Sequence, residues 1–181
     1  MENPEDIFSV NENEVMEYYG LDGYIGKLKL KFKMLRSWIF HTFAYSFPSS
    51  NFVVKMQRLR GVKIGNNCHI SPYVLIDLVY PDLIEIGTNV TLGSNSMVFA
   101  HVNPTANALL KKTNYPRKIS KVNIKSGAVI NPGAIITAGV TIGENSIVSI
   151  GSAVFEDVPD NCVALGNPAR VVKKIDHKDE K

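Results

Sequence analysis

From Ile64 onward an aliphatic residue returns every sixth position: Ile64, Ile70 and Ile76, then Ile86, Leu92 and Val98, then Ile124, Ile130, Ile136, Ile142, Val148 and Val154. That register is anchored on the aliphatics themselves, so the independent check is the position four residues later. It holds Cys68, Val74, Val90, Ser96, Val102, Ala128, Ala134, Val140, Ser146, Ser152 and Val158, eleven small or β-branched side chains in twelve, and only Tyr80 departs. A period of six with Gly and Asn between the aliphatics predicts short extended segments joined by tight turns, each pointing one aliphatic inward. Three such segments close a triangular coil of 18 residues, so Ile124 should stack on Ile142 and Ile130 on Val148. Parallel rungs would satisfy the backbone between coils. A helical reading fails, because Gly and Pro recur too often and no 3.6-residue stripe persists.

Two breaks interrupt the period. LVYPDLIE adds four residues between Ile76 and Ile86. A longer one, at about 103–120, contains ANALLKKTNYPRK and begins just after His101. It is too long for a turn and should protrude from the coil as a loop of the kind that holds function.

Residues 1–60 follow another rule. Leu28, Phe32, Leu35 and Ile39 recur at helical spacing, flanked by Lys27, Lys31 and Arg36, although the local KLKLKFK run also alternates with period two like a strand. Trp38, Phe40, Phe43, Tyr45 and Phe47 form an aromatic stretch interrupted by Pro48, and a second helical pattern over about 52–60 ends at Gly61. Charge sharpens the division. The first 22 residues hold seven acids and no base, whereas residues 24–63 hold nine Lys or Arg and no acid. This gives an acidic then basic, mainly helical segment at 1–60, a repeat domain at 61–175 and a charged tail at 176–181. Two readings of the basic helix stand open: a cap whose apolar side packs on the main domain, or an interfacial helix drawn to an anionic membrane. No nucleic-acid module accompanies the basic residues, and a net charge of +3 over 181 residues argues for no nucleic-acid partner.

The rest of the composition mainly excludes. Apolar residues at 45 % and charged residues at 20 % describe a globular chain. Cys68 and Cys162, 94 residues apart, build neither a disulfide framework nor a zinc knuckle. No apolar run is long enough to span a bilayer and no secretory leader opens the chain, so the expectation is a cytoplasmic protein, with the inner membrane face as its peripheral alternative.

These features resemble the hexapeptide-repeat acyltransferases, over about residues 61–175. The most specific stretch is ITAGVTIGENSIVSIGSAVFEDVPDNCVALGNPARVV, whose GNPARV, from Gly166 to Val171, is similar to that family's closing signature. The resemblance implies an all-β solenoid, a left-handed parallel β-helix, assembled as a homotrimer with active sites between subunits, using acetyl-CoA and no metal. Within the family, YPDLIEIGTNVTLGSNSMVFAHVNP looks like the sugar and polysaccharide O-acetyltransferases, and His101 matches their histidine before the protruding loop. It would act as general base, taking the acceptor's hydroxyl proton as that oxygen attacks the thioester; an imidazole, with an ordinary pKa of about 6.5, suits the task. Asp77, Asp82, Glu85 or a backbone carbonyl would orient it.

The same resemblance places coenzyme A along the last coils, at Ile150, Gly151, Phe155, Arg170 and Lys173, and an acceptor hydroxyl at Asn95, which also reads as a turn-forming Asn. The sequence departs from the family at two of these places and at Glu156. Ile150 replaces a small residue, and Phe155 and Glu156 stand where a Thr-Lys pair is common, which removes one cation from the expected phosphate site. Of the other histidines, His69 reads as solvated, His41 as packed or interfacial, and His177 as an idle tail residue. Gaps of 28, 32 and 76 between histidines do not resemble the clustered ligands of the zinc carbonic anhydrases built on the same coil. The short helical opening of maltose and galactoside acetyltransferases is missing, and the basic aromatic entry looks more like surface-polysaccharide enzymes. Three functions follow: O-acetylation of a sugar or glycan, N-acetylation of an amino sugar or nucleotide sugar, or a non-catalytic β-helix scaffold or membrane-surface module.

Overall fold

The structure, a computed structural model, describes residues 7–102, 107, 110 and 115–176. Most of the expected protruding loop, together with His177, lies outside the described residues. Every aliphatic of the six-residue register lies on a strand, and all but the half-buried Ile64 are buried. Three parallel ladders form the sides of a left-handed triangular prism. One stacks Lys63–Ile64, Ile84–Ile86, Val122–Ile124 and Thr141–Ile142. A second stacks His69–Ile70, Thr91–Leu92, Val129–Ile130 and Ile147–Val148, and the third Leu75–Ile76, Met97–Val98, Ile135–Ile136 and Ala153–Val154. The register is the one expected, Ile124 against Ile142 and Ile130 against Val148. The second ladder ends in an antiparallel hairpin of Cys162–Gly166 and Ala169–Lys174.

Turn chemistry keeps the coils about 4.8 Å apart. Asn67, Asn89, Asn95, Asn145 and Asn161 all take the left-handed conformation, with φ between 53° and 59°. Gly93 is demanded by proximity: a Cβ there would lie 2.6 Å from the backbone nitrogen of Pro132, one coil away.

Three helices precede the prism: α1 (Ile7–Tyr18), α2 (Gly23–Tyr45) and α3 (Ser50–Arg60). The alternating lysines therefore lie in a helix, begun by the Asp22 side chain accepting from Gly23 N–H at 2.7 Å. Gly61, at φ 117°, ends α3 as anticipated. Val53, Val54 and Met56 of α3 join the core, and the Ser50 hydroxyl accepts from Ile70 N–H at 2.8 Å, so α3 closes the first coil.

Helix α2 corrects one expectation. The packed face is not Leu28, Phe32, Leu35 and Ile39, all of which are exposed, but Gly26, Leu30, Ser37, His41 and Ala44. The reason is Arg60. Its guanidinium is buried and donates to Ser37 Oγ (3.2 Å), Gln57 Oε1 (2.5 Å) and the carbonyls of Ile76 (3.1 Å) and Asp77 (2.6 Å), with His41 Nδ1 at 3.3 Å. A buried cation needs polar partners, so it draws Ser37 and His41 of α2 inward. Burial holds the arginine's pKa down to about 10, although Asp77 opposes the shift, and burial beside Arg60 takes His41 down to about 4.

Candidate active site

Where Leu75–Ile76 ends, the chain turns into the first break, and Asp77 folds back under its own successors. One carboxylate oxygen accepts from the N–H groups of Val79 (2.8 Å) and Tyr80 (3.0 Å). The other accepts from Ala100 N–H at 2.9 Å and faces His101 Nδ1 at 2.6 Å. Asp77 is fully buried, and burial alone would raise its pKa. The bond to His101 and the two N–H groups outweigh that and hold the carboxyl below its usual range. An ionised carboxylate only accepts, so Nδ1 of His101 holds the hydrogen and Nε2 presents the lone pair. The contact orients the ring so that its second nitrogen, Nε2, faces away from Asp77.

Neighbours fix the ring. His101–Val102 pairs antiparallel with Lys118–Ile119, which brings the two ends of the loop together and puts Arg117 beside the site. Tyr80, the one departure from the small-residue rule, is fully buried with its ring edge-on to His101, centroids 5.3 Å apart. Tyr80 Oη receives a hydrogen bond from Arg117 at 3.1 Å, and its ring meets Tyr18 of α1 at 4.8 Å. Arg117 Nε lies 3.3 Å from a Glu14 oxygen, an ion pair whose N–H direction misses a proper hydrogen bond. Glu14, Glu17, Tyr18, Arg117 and Ile119 line an open cavity of about 340 Å³ next to this wall. Of the three acids considered for orienting His101, Asp82 instead receives the Tyr19 hydroxyl at 2.9 Å. Glu85 is tied to Lys63 and Lys121, which hold its carboxyl below the ordinary range.

The remaining site candidates do not converge on His101. Phe155 belongs to the same prism corner two coils on, since Thr137 N–H bonds Val154 O as Asp77 N–H bonds Val98 O. Ile150 and Gly151 lie at the next corner, above Asn95: Gly151 N–H bonds Pro132 O and Gly133 N–H bonds Ser94 O. Ile150 and Phe155 stand open to solvent at 70 % and 58 % exposure. Arg170 and Lys173 are exposed on the terminal hairpin, and Arg170 shares its charge with Glu156 at 3.6 Å. Asn95 is exposed in a left-handed turn, which meets the turn-forming reading; His69 is exposed and His41 packed, as anticipated. Arg60, Tyr80 and Arg117 were not singled out for function; only Tyr80 left a trace, as the exception to the repeat. Among the described residues, no group of three metal-ligating side chains converges.

No family model matches the chain. It is 33 % identical over 138 residues to a galactoside O-acetyltransferase of Lactococcus lactis, a match covering 66 % of each chain. The chain thus spans just under two thirds of that relative, and less of others. Among solved structures it is similar to a galactoside acetyltransferase in complex with coenzyme A, with a TM-score of 0.63 and 27 % identity over 83 % of this chain and 84 % of that one. It shares its fold with a hexapeptide-repeat-containing acetyltransferase of Vibrio cholerae, with a TM-score of 0.68 and 18 % identity over 82 % and 93 % of the two chains. On the six-residue coil and on these relatives, the chain is similar to the hexapeptide-repeat acetyltransferases and has their fold.

Proposed function

We propose that this protein is an acetyl-CoA-dependent O-acetyltransferase acting on a sugar or glycan hydroxyl, with His101 as general base and Asp77 as its positioning residue. The observation behind this reading is the 2.6 Å contact from a buried carboxylate to Nδ1 of a histidine at the base of a loop. As the acceptor oxygen attacks the thioester carbonyl, its proton passes to Nε2. The carbon–sulfur bond then breaks, and the departing thiolate takes the proton from Nε2, leaving an acetyl ester and free CoA. No covalent enzyme intermediate is needed. The naming of the relatives as galactoside acetyltransferases, one of them with coenzyme A bound, supports the donor and acceptor classes. In this reading the donor lies against Ile150, Gly151, Phe155, Arg170 and Lys173, with a neighbouring copy of a homotrimer completing the site, and Asn95 meets an acceptor hydroxyl. The open apolar faces of Ile150 and Phe155 fit an adenine or pantetheine surface.

Acetyl-CoA turnover, followed by thiol release over a panel of sugars, amino sugars and nucleotide sugars, tests the proposal. One acceptor class should be active, with His101→Ala slower by at least about a hundredfold. Activity surviving in that variant refutes the base, and absence of both turnover and CoA binding refutes the enzyme.

A further inference from the structure

We infer that the outer face of α2 is a docking surface for an anionic lipid bilayer. Projected at about 100° per residue, Ile25, Leu28, Phe32, Leu35, Ile39 and Phe43 fall within one arc, opposite the residues that pack on the protein. All six are exposed, Phe32 at 70 %. An exposed apolar stripe of this length marks an interaction site. The occupant follows from charge. Lys29 and Arg36 border the stripe on one side and Lys27 and Lys31 on the other, and α2 contains no acid. Lys27 is paired with Glu12, but Lys29, Lys31 and Arg36 form no ion pair with a described residue. An apolar face with cations on both edges complements a surface that is apolar below and negative at the headgroups. A second copy docking through the same face would set basic edge against basic edge. No described helix is long and apolar enough to cross a membrane, so α2 lies in the interface plane, along about 34 Å of helix. Trp38, 57 % exposed, projects beside Lys31, at the level where interfacial aromatics sit.

Trp38 is the only tryptophan in the chain, so its emission reports this face without a label. The full-length protein is titrated with phosphatidylcholine vesicles, and with vesicles in which about a third of the lipid is phosphatidylglycerol. We expect a blue shift and co-sedimentation at least about tenfold stronger with the anionic vesicles, weakened by about 1 M salt as the Debye length shrinks to about 3 Å. Phe32→Glu should abolish it, and Lys29→Ala/Lys31→Ala/Arg36→Ala together should weaken it by about a hundredfold. Both variants change exposed positions, and a wild-type thermal melt shows that they fold. Equal response to both vesicles, binding that survives Phe32→Glu, or no response of Trp38 overturns the inference. So does a concentration-dependent blue shift without lipid whose molar mass falls in Phe32→Glu, since that outcome gives the face to a second copy.

Discussion

Asp77→Asn separates the two roles of the buried carboxylate, holding its own loop and holding the imidazole. Asp77 accepts four contacts: from Val79 and Tyr80 N–H on one oxygen, and from Ala100 N–H and His101 Nδ1 on the other. An asparagine has one acceptor oxygen and one NH2 group. If its oxygen stays on Val79 and Tyr80, the NH2 faces Ala100 N–H and forces His101 to accept at Nδ1, which puts the hydrogen on Nε2. That tautomer cannot take a proton from an acceptor. If the amide flips, two N–H groups face the NH2 instead. Either way a buried donor is left unmatched, at a cost of about 1–3 kcal/mol in stability. The wrong tautomer should lower kcat by roughly 10²–10⁴-fold, or about 2.7–5.4 kcal/mol in the barrier. The assay is thiol release at saturating acceptor, with KM for acetyl-CoA measured alongside and unfolding followed in urea. A purely structural Asp77 would lower the midpoint while leaving kcat of the folded fraction intact. The reasoning is refuted if folded Asp77→Asn turns over within about threefold of wild type.

Three further outcomes follow from other parts of the molecule. His41, held down to about 4 from 6.5 by burial and Arg60, refuses a proton that the unfolded chain accepts, so stability should fall from pH 6.5 to about 4. The loss over that span is about 3 kcal/mol, and His41→Asn should flatten it in urea melts taken at each pH. Gly93→Ala would press a methyl group against Pro132 backbone at 2.6 Å, forcing adjacent coils apart. A loss of about 1–3 kcal/mol in denaturant unfolding is expected, and none would show that the coils yield freely. Glu156→Lys removes the anion 3.6 Å from Arg170. It should lower KM for acetyl-CoA by roughly threefold, an effect that fades with salt; an unchanged or raised KM argues that the phosphates lie elsewhere.

The β-helix was legible because its core is built from residues close in sequence whose spacing obeys one rule. Ile124 meets Ile142 because they are eighteen residues apart, and nothing else in the chain needs to be known. His101 stood out for a similar local reason, as the residue where the repeat gives way to a loop. The partner of His101 was not legible to the same degree. Asp77, Asp82 and Glu85 are equivalent acids within nine positions, and what divides them is backbone direction after Ile76, together with the Tyr19 hydroxyl and two lysines that occupy the others. Those competitors come from distant segments, so periodicity contains no trace of them.

The same limit explains α2. Hydrophobic spacing located the helix but left open whether its apolar stripe packs on the domain or faces outward, and the structure leaves that stripe exposed. Arg60, 23 residues past Ser37, decides the orientation by drawing Ser37 and His41 inward. In sequence that arginine is an ordinary cation in the last turn of a helix ending in glycine. Its guanidinium also donates to the carbonyl of Asp77, so the helix orientation and the placement of the imidazole rest on one buried group. A helix that turns Ser37 and His41 inward exposes the apolar stripe opposite them, so the group that steadies the proposed base also leaves open the α2 face proposed to meet lipid.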